Sequence, residues 1–168
     1  MIMTVFDEFL EANKVYTDHF NSADLELPPK RHVAVVACMD ARLHPAPALG
    51  IALGDSHIIR NAGGRIDEGT IRSLVISQQL LGTTEIVVLH HTDCGMLTFE
   101  NEDLYQIVND NLGEDVSDKD FLPISDLEQS VIDDVNLLSE LNVLIPGTPI
   151  SGAIYDVKTG EVREVVRK

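Results

Sequence analysis

Apolar residues recur along the chain in two rhythms. Over residues 3 to about 20, Val5, Phe6, Phe9, Leu10, Val15 and Tyr16 fall near helical spacing among acids, which predicts an amphipathic helix. The Pro-Pro pair in "ELPPK" ends it, because prolines cannot continue a helix. A helix set apart by such a linker suits packing on a partner subunit. The rhythm then changes: "HVAVVAC", His32 to Cys38, is a continuous apolar run rich in β-branched residues, as expected of a strand buried on both faces. "SHIIRN" at 56–61 predicts a second, weaker strand, followed by the turn "AGG". Thr70 to Leu81 predicts a helix with Ile71, Leu74, Val75, Gln78 and Leu81 on one side, stopped by Gly82. Ile86 to Leu89 predicts a third strand. Residues 100–112 and 125–140 read as helices joined by an acidic loop with Pro123, and "ISGAIYDVKTGEVREVV" reads as a closing hairpin that turns at "KTG".

Strand, helix and strand in quick succession form a βαβ unit, hence a parallel sheet with a right-handed crossover. A chain of 168 residues is too short for two ordinary domains. The expected organisation is one α/β domain over residues 1–168: a helical arm and Pro-Pro linker at 1–28, and an α/β core at 29–168.

Charge narrows the partners. The net charge is -16, from 28 acids against 12 bases, and such a surface repels phosphate backbones, so no nucleic-acid partner is expected. Thirteen acids lie between Glu100 and Glu140, with Lys119 the only base among them. That stretch reads as a solvated helical face, or more sharply as adaptation to high salt, since the chain has only five lysines. No apolar run reaches the roughly 18 to 20 residues that span a bilayer, so no membrane partner is expected. The N-terminal stretch lacks the basic start and small-residue cleavage site of a signal peptide. The expected location is the cytoplasm, where a cysteine pair more often serves metal or catalysis than a disulfide.

Both cysteines end apolar runs. "EIVVL" leads into "HHTDCGM" at 90–96, and the first strand ends in "CMDAR". Ligands gather beyond the carboxyl ends of parallel strands. If the two strands are neighbours, Cys38, His91 and Cys94 converge as a Cys2His set, a composition used by catalytic zinc. His90 precedes His91 by one residue and so points to the other face of an extended chain, which favours His91 as the ligand. A redox pair of Cys38 and Cys94 is the competing reading, although they lack the Cys-x-x-Cys arrangement. Asp40 and Arg42 follow Cys38 at intervals of two, so an extended segment would project all three to one side. The guanidinium would keep the carboxylate ionised and oriented. Beside a metal, Asp40 could accept the proton of an activated water or ligate the ion itself.

In this order and spacing, "CMDARL", "IIRNAGG" and "HHTDCGM" resemble the β-class carbonic anhydrases. The resemblance runs from about His32 to Met96, and more loosely through the N-terminal helix and the final "GAIYDVKTG", so that it covers most of the chain. It implies that Cys38, His91 and Cys94 hold one zinc ion per chain, with Asp40 and Arg42 as a catalytic dyad and Asp40 as a possible fourth ligand in a resting form. It also implies a mainly parallel sheet with an antiparallel edge strand, and a homodimer or larger even-numbered homo-oligomer in which the N-terminal helix reaches across. The expected activity is zinc-dependent, reversible hydration of carbon dioxide to bicarbonate. Without tryptophan, the aromatic part of the family's noncatalytic bicarbonate site is missing, and no such inhibition is expected. Carbonyl sulfide hydrolases share the zinc motifs and the "RNAGG" turn, and give the alternative substrate. A noncatalytic zinc or thiol sensor is a third reading. Arg60, Gly63 and Gly64 are candidates for the substrate pocket, the last two through backbone donors, and His44 is a candidate proton relay.

Overall fold

The computed structural model describes residues 4–168; residues 1–3, including Met3 of the expected first helix, lie outside the described residues. Helix α1 spans Val5–Asp18 and opens on a reciprocal cap, with the Thr4 hydroxyl accepting from Asp7 N–H and the Asp7 carboxylate accepting from Thr4 N–H. None of its residues is buried: Phe6, Phe9 and Leu10 are 65%, 63% and 47% exposed. The apolar stripe read from the sequence is real, and nothing among the described residues covers it.

Five strands form one sheet: β1 Val33–Cys38, β2 Ser56–Asn61, β3 Glu85–His91, β4 Ile150–Tyr155 and β5 Val162–Arg167. Their order is β2-β1-β3-β4-β5, with β1 to β4 parallel and β5 antiparallel to β4 at the edge. The expected hairpin is the β4–β5 pair. Its turn is drawn tight by the Gly160 N–H on the Asp156 carbonyl at 2.8 Å. β3 is central and β1 lies beside it inside the sheet, with five of its six residues buried.

Helices α3 (Glu68–Gln79) and α5 (Leu127–Glu140) cover one sheet face. Leu74, Val135 and Leu138 pack there on Ala34, Val36, Ile86 and Val88. Both helices start where an aspartate caps them, Asp67 on Thr70 N–H and Asp126 on Gln129 N–H, which displaces their starts by two residues from the periodic pattern. The opposite face, with Val35, Ala37 and Leu89, is covered by Leu43, Met96 and Ile124 from loops. On that side an open groove of about 270 Å³ is lined by Val33, Val35, Leu49, Ile51 and Val87, among others. Two further helices complete the chain. α4 is Asn101–Leu112, as expected, and the short α2, Pro45–Ala48, begins with Pro45 at the first helical position.

Candidate active site

β1 and β3 are hydrogen-bonded neighbours in parallel register, with Ala37 opposite Leu89, so their carboxyl ends deliver side chains to one place. Cys38 is the last residue of β1, His91 is the last of β3, and Cys94 opens the 3-10 turn Gly95–Leu97 just beyond. The structure brings all three together, buried, with their ligand atoms within 4.8 Å of one another. The two sulfurs are 3.9 Å apart. Two thiolates at about 2.3 Å from a common tetrahedral centre would stand about 3.8 Å apart, so the spacing fits a shared ion. The imidazole fits too. His91 Nδ1 lies 2.8 Å from the Thr92 carbonyl and donates to it, which leaves Nε2 as the ring atom offered to the cluster. That Nε2 is buried and has no hydrogen-bond partner.

Strand alternation sorts the two histidines as expected. His90 turns to the helical face, where Nδ1 meets Ser130 Oγ at 2.9 Å. Its Nε2 stands 3.2 Å from Asp134 Oδ2 without hydrogen-bond alignment. His90 is therefore a packed, partnered histidine.

The cysteines differ in charge. The Cys94 thiol donates to Cys38 and, despite burial, helps to draw the Cys38 thiol down to about 4; His91 and the backbone N–H groups of Asp40 and Gly63 act in the same direction. Cys94 is pushed up by the same contact and by burial, so the pair shares one proton. Two sulfurs and an imidazole in a buried, three-donor corner are the soft-to-borderline set that suits zinc.

Asp40 and Arg42 meet differently from the extended geometry expected. The chain turns after Met39: Leu43 N–H bonds the Asp40 carbonyl at 3.0 Å, and Arg42 N–H bonds Asp40 Oδ1 at 2.8 Å. Aspartate favours such a turn because its carboxylate accepts from the backbone two residues on. The turn folds Arg42 back on Asp40 in a bidentate pair, Nε to Oδ1 at 3.0 Å and Nη2 to Oδ2 at 2.8 Å. Arg42, first through its side chain and then through its backbone N–H, holds the Asp40 carboxyl well below the ordinary carboxylate range. Asp40 Oδ2 stands 3.8 Å from His91 Nε2, at the rim of the cluster.

The remaining candidates fall around this corner. Arg60 lays its guanidinium on the loop backbone, donating to the carbonyls of Cys38, Asp40 and Leu43 at 2.8 to 3.0 Å. Gly63 and Gly64 are buried in a 3-10 turn at φ +80° and +70°. A Cβ on Gly64 would come within 2.9 Å of Cys38 N, so glycine is what lets this turn lie against the end of β1. His44 stands exposed at the start of α2.

Three residues here had no sequence expectation. Asp93 accepts from Arg42 Nη1 at 2.7 Å across a separation of 51 residues, which no local pattern announces. Arg65, directly after the glycine turn, pairs with Asp134 through Nε at 2.8 Å and Nη2 at 3.2 Å. Asp134 did carry a signal. It is an acid inside the stripe of α5 that also holds Val131, Val135 and Leu138, and a charge in such a stripe requires a buried partner.

The carbonic anhydrase family profile matches residues 33–162. β-Carbonic anhydrase 1 of Mycobacterium tuberculosis is 43% identical over 171 residues, covering 97% of this chain and 99% of that one. A crystal structure of carbonic anhydrase from Streptococcus mutans superimposes with a TM-score of 0.95 at 56% identity, covering 99% and 100% of the two chains. A carbon disulfide hydrolase of an Acidianus strain is more distant, 32% identical over 82% of this chain and 79% of that one. Matched over nearly its whole length in both sequence and fold, the chain belongs to the β-carbonic anhydrase family.

Proposed function

We propose that this protein catalyses the reversible hydration of carbon dioxide to bicarbonate and a proton, at a zinc ion held by Cys38, His91 and Cys94. The observation that carries the reading is the bare, buried His91 Nε2 facing two sulfurs 3.9 Å apart, beside a carboxylate held by arginine. Zinc, when bound, supplies the acidification that makes a water nucleophilic near neutral pH. Asp40 accepts a hydrogen bond from that water and aims its lone pair at the carbon. With both carboxylate oxygens engaged by Arg42, Asp40 is fixed as an acceptor, the arrangement in which it orients water rather than serving as a fourth ligand. Arg60 holds the 38–43 loop in place, and the Gly63–Gly64 turn places an N–H on the Cys38 sulfur. His44, exposed on the next segment, passes protons to solvent.

A second copy of the chain completes the fold in this reading. An uncovered apolar stripe with Phe6, Phe9 and Leu10 is the kind of surface that marks a protein contact, and the apolar groove over Val35 and Val87 needs a cover. The protein works as a homodimer or an even multiple of one, in the cytoplasm.

The test is stopped-flow hydration of carbon dioxide with zinc measured in parallel. Wild type should turn over with close to one zinc per chain, and Asp40→Asn should keep its zinc while losing about 10²-fold or more in rate. Undiminished turnover by Asp40→Asn from about pH 6 to 9 would refute the dyad. Parallel assays with carbonyl sulfide and carbon disulfide test the hydrolase alternative, since the same cluster could serve those substrates. Sequence weighs against it, at 43% identity to the carbonic anhydrase and 32% to the carbon disulfide hydrolase.

A further inference from the structure

We propose that Asp93 is a positioning residue for Asp40, acting through Arg42. The proposal rests on the reading of Asp40 and Arg42 given above and adds a third member to that pair.

Arg42 bridges the two loops that leave β1 and β3. Toward its own loop it gives Nε and Nη2 to the Asp40 carboxylate at 3.0 and 2.8 Å. Toward the other it gives Nη1 to the Asp93 carboxylate at 2.7 Å and Nη2 to the Asp93 carbonyl at 2.8 Å. A guanidinium is a rigid planar fork, so these bonds fix its orientation together. Any rotation that would carry Arg42 away from Asp40 must also break its contacts with Asp93.

Two features indicate that Asp93 is there for Arg42. Its side chain is 67% exposed, so packing does not hold it. Its backbone sits at φ +55°, a left-handed conformation uncommon outside glycine, which sets its carbonyl and its carboxylate on the same guanidinium. Arg42 is itself half exposed. Without the second anchor, a long side chain held only by a neighbour two residues away would sample other rotamers. Asp40 would then lose the donor pair that aims it. Because Asp93 immediately precedes Cys94, the clamp also ties the Asp40 loop to the loop of a metal ligand.

Asp93→Gly removes the carboxylate while accepting the positive φ, so the backbone is preserved. Asp93→Asn retains an acceptor of the same shape and also tolerates the left-handed region. In carbon dioxide hydration, Asp93→Gly should lose about tenfold in kcat with KM changed less than about twofold, and Asp93→Asn should recover most of the loss. Melting temperature and zinc content should stay at wild-type values. In an Asp40→Asn background, Asp93→Gly should lower the rate less than about twofold further, because both act through one carboxylate. Independently of turnover, NMR should show faster solvent exchange of the Arg42 Nε–H in Asp93→Gly. Wild-type kcat in Asp93→Gly, full additivity with Asp40→Asn, or unchanged Arg42 exchange would each overturn the role of Asp93. An Asp40→Asn enzyme with wild-type turnover would instead overturn the dyad on which the proposal rests.

Discussion

Arg65 and Asp134 are the least exposed ion pair in the molecule's described residues after the histidine contacts, with side chains 13% and 4% exposed. Replacing Arg65 by leucine strips Asp134 of both guanidinium bonds and leaves its carboxylate buried beside the His90 ring, whose Nε2 is 3.2 Å away. It also frees the carbonyls of Leu122 and Pro123, which accept from Arg65 Nη1 at 3.0 and 3.2 Å. An uncompensated buried charge of this kind typically costs about 3–5 kcal/mol. For a domain of this size each kcal/mol moves the melting temperature by about 2–4 °C, so Tm should fall by about 6–20 °C. Removing both charges avoids the stranded carboxylate, and Arg65→Met with Asp134→Leu should recover at least half of the loss. Urea unfolding at one protein concentration, with m values compared, separates lost stability from a changed unfolded state. A single-variant loss below about 1 kcal/mol, or a double variant less stable than Arg65→Leu alone, would refute the reasoning.

Other outcomes follow from the same geometry. Cys94→Ser exchanges a soft donor for a weak one and should lose most of its zinc, measured by metal analysis after chelator dialysis. Gly64→Ala meets Cys38 N at 2.9 Å and the Ala37 carbonyl carbon at 3.0 Å in a positive-φ position, so it should fall in Tm and bind zinc more weakly; an alanine variant with unchanged zinc affinity would count against the close-approach argument. With a net charge of -16, stability should rise as potassium chloride screens like charges, the Debye length falling from about 10 Å at 0.1 M to about 3 Å at 1 M; a flat or falling Tm would exclude this. The lowered Asp40 carboxyl gives a signed pH dependence. Its contribution is present above the ordinary carboxylate pKa of about 4 and is lost as pH falls through the lower folded value. The stability gap between wild type and Asp40→Asn should therefore be constant from about pH 5 to 8 and narrow in stronger acid.

What the sequence made legible depended on range. Periodicity located α1, α3, α4, α5 and all five strands, because each is defined by contacts every two to four residues. "SHIIRN" matched β2 to the residue. Alternation along "HH" assigned His91 to the cluster and His90 to the other face, a choice that needs only the period of a strand. The failures were non-local or geometric. The extended reading of "CMDAR" missed the turn that Asp40 builds with its own carboxylate, although aspartate two residues before a backbone N–H is a known turn former. Asp93 on Arg42 and Arg65 on Asp134 join residues 51 and 69 positions apart, and no window on the sequence contains both partners. That β4 would pair in parallel with β3 before turning into its hairpin also lay outside any local signal.

The parallel pairing of β1 with β3 has a consequence for the order of folding. Parallel neighbours cannot be joined by a tight turn, and here β2 and α3 lie between them in the chain. The two sulfurs are 56 residues apart in sequence, so no short peptide from this chain contains the donor set. An ion in solution would find at most the His91–Cys94 fragment until the crossover has closed and the two strands are in register. Capture of a metal at the proposed site would then be a late step. Its binding energy would deepen a basin that the sheet has already chosen, by mass action on the finished fold, instead of nucleating the chain as in a zinc finger.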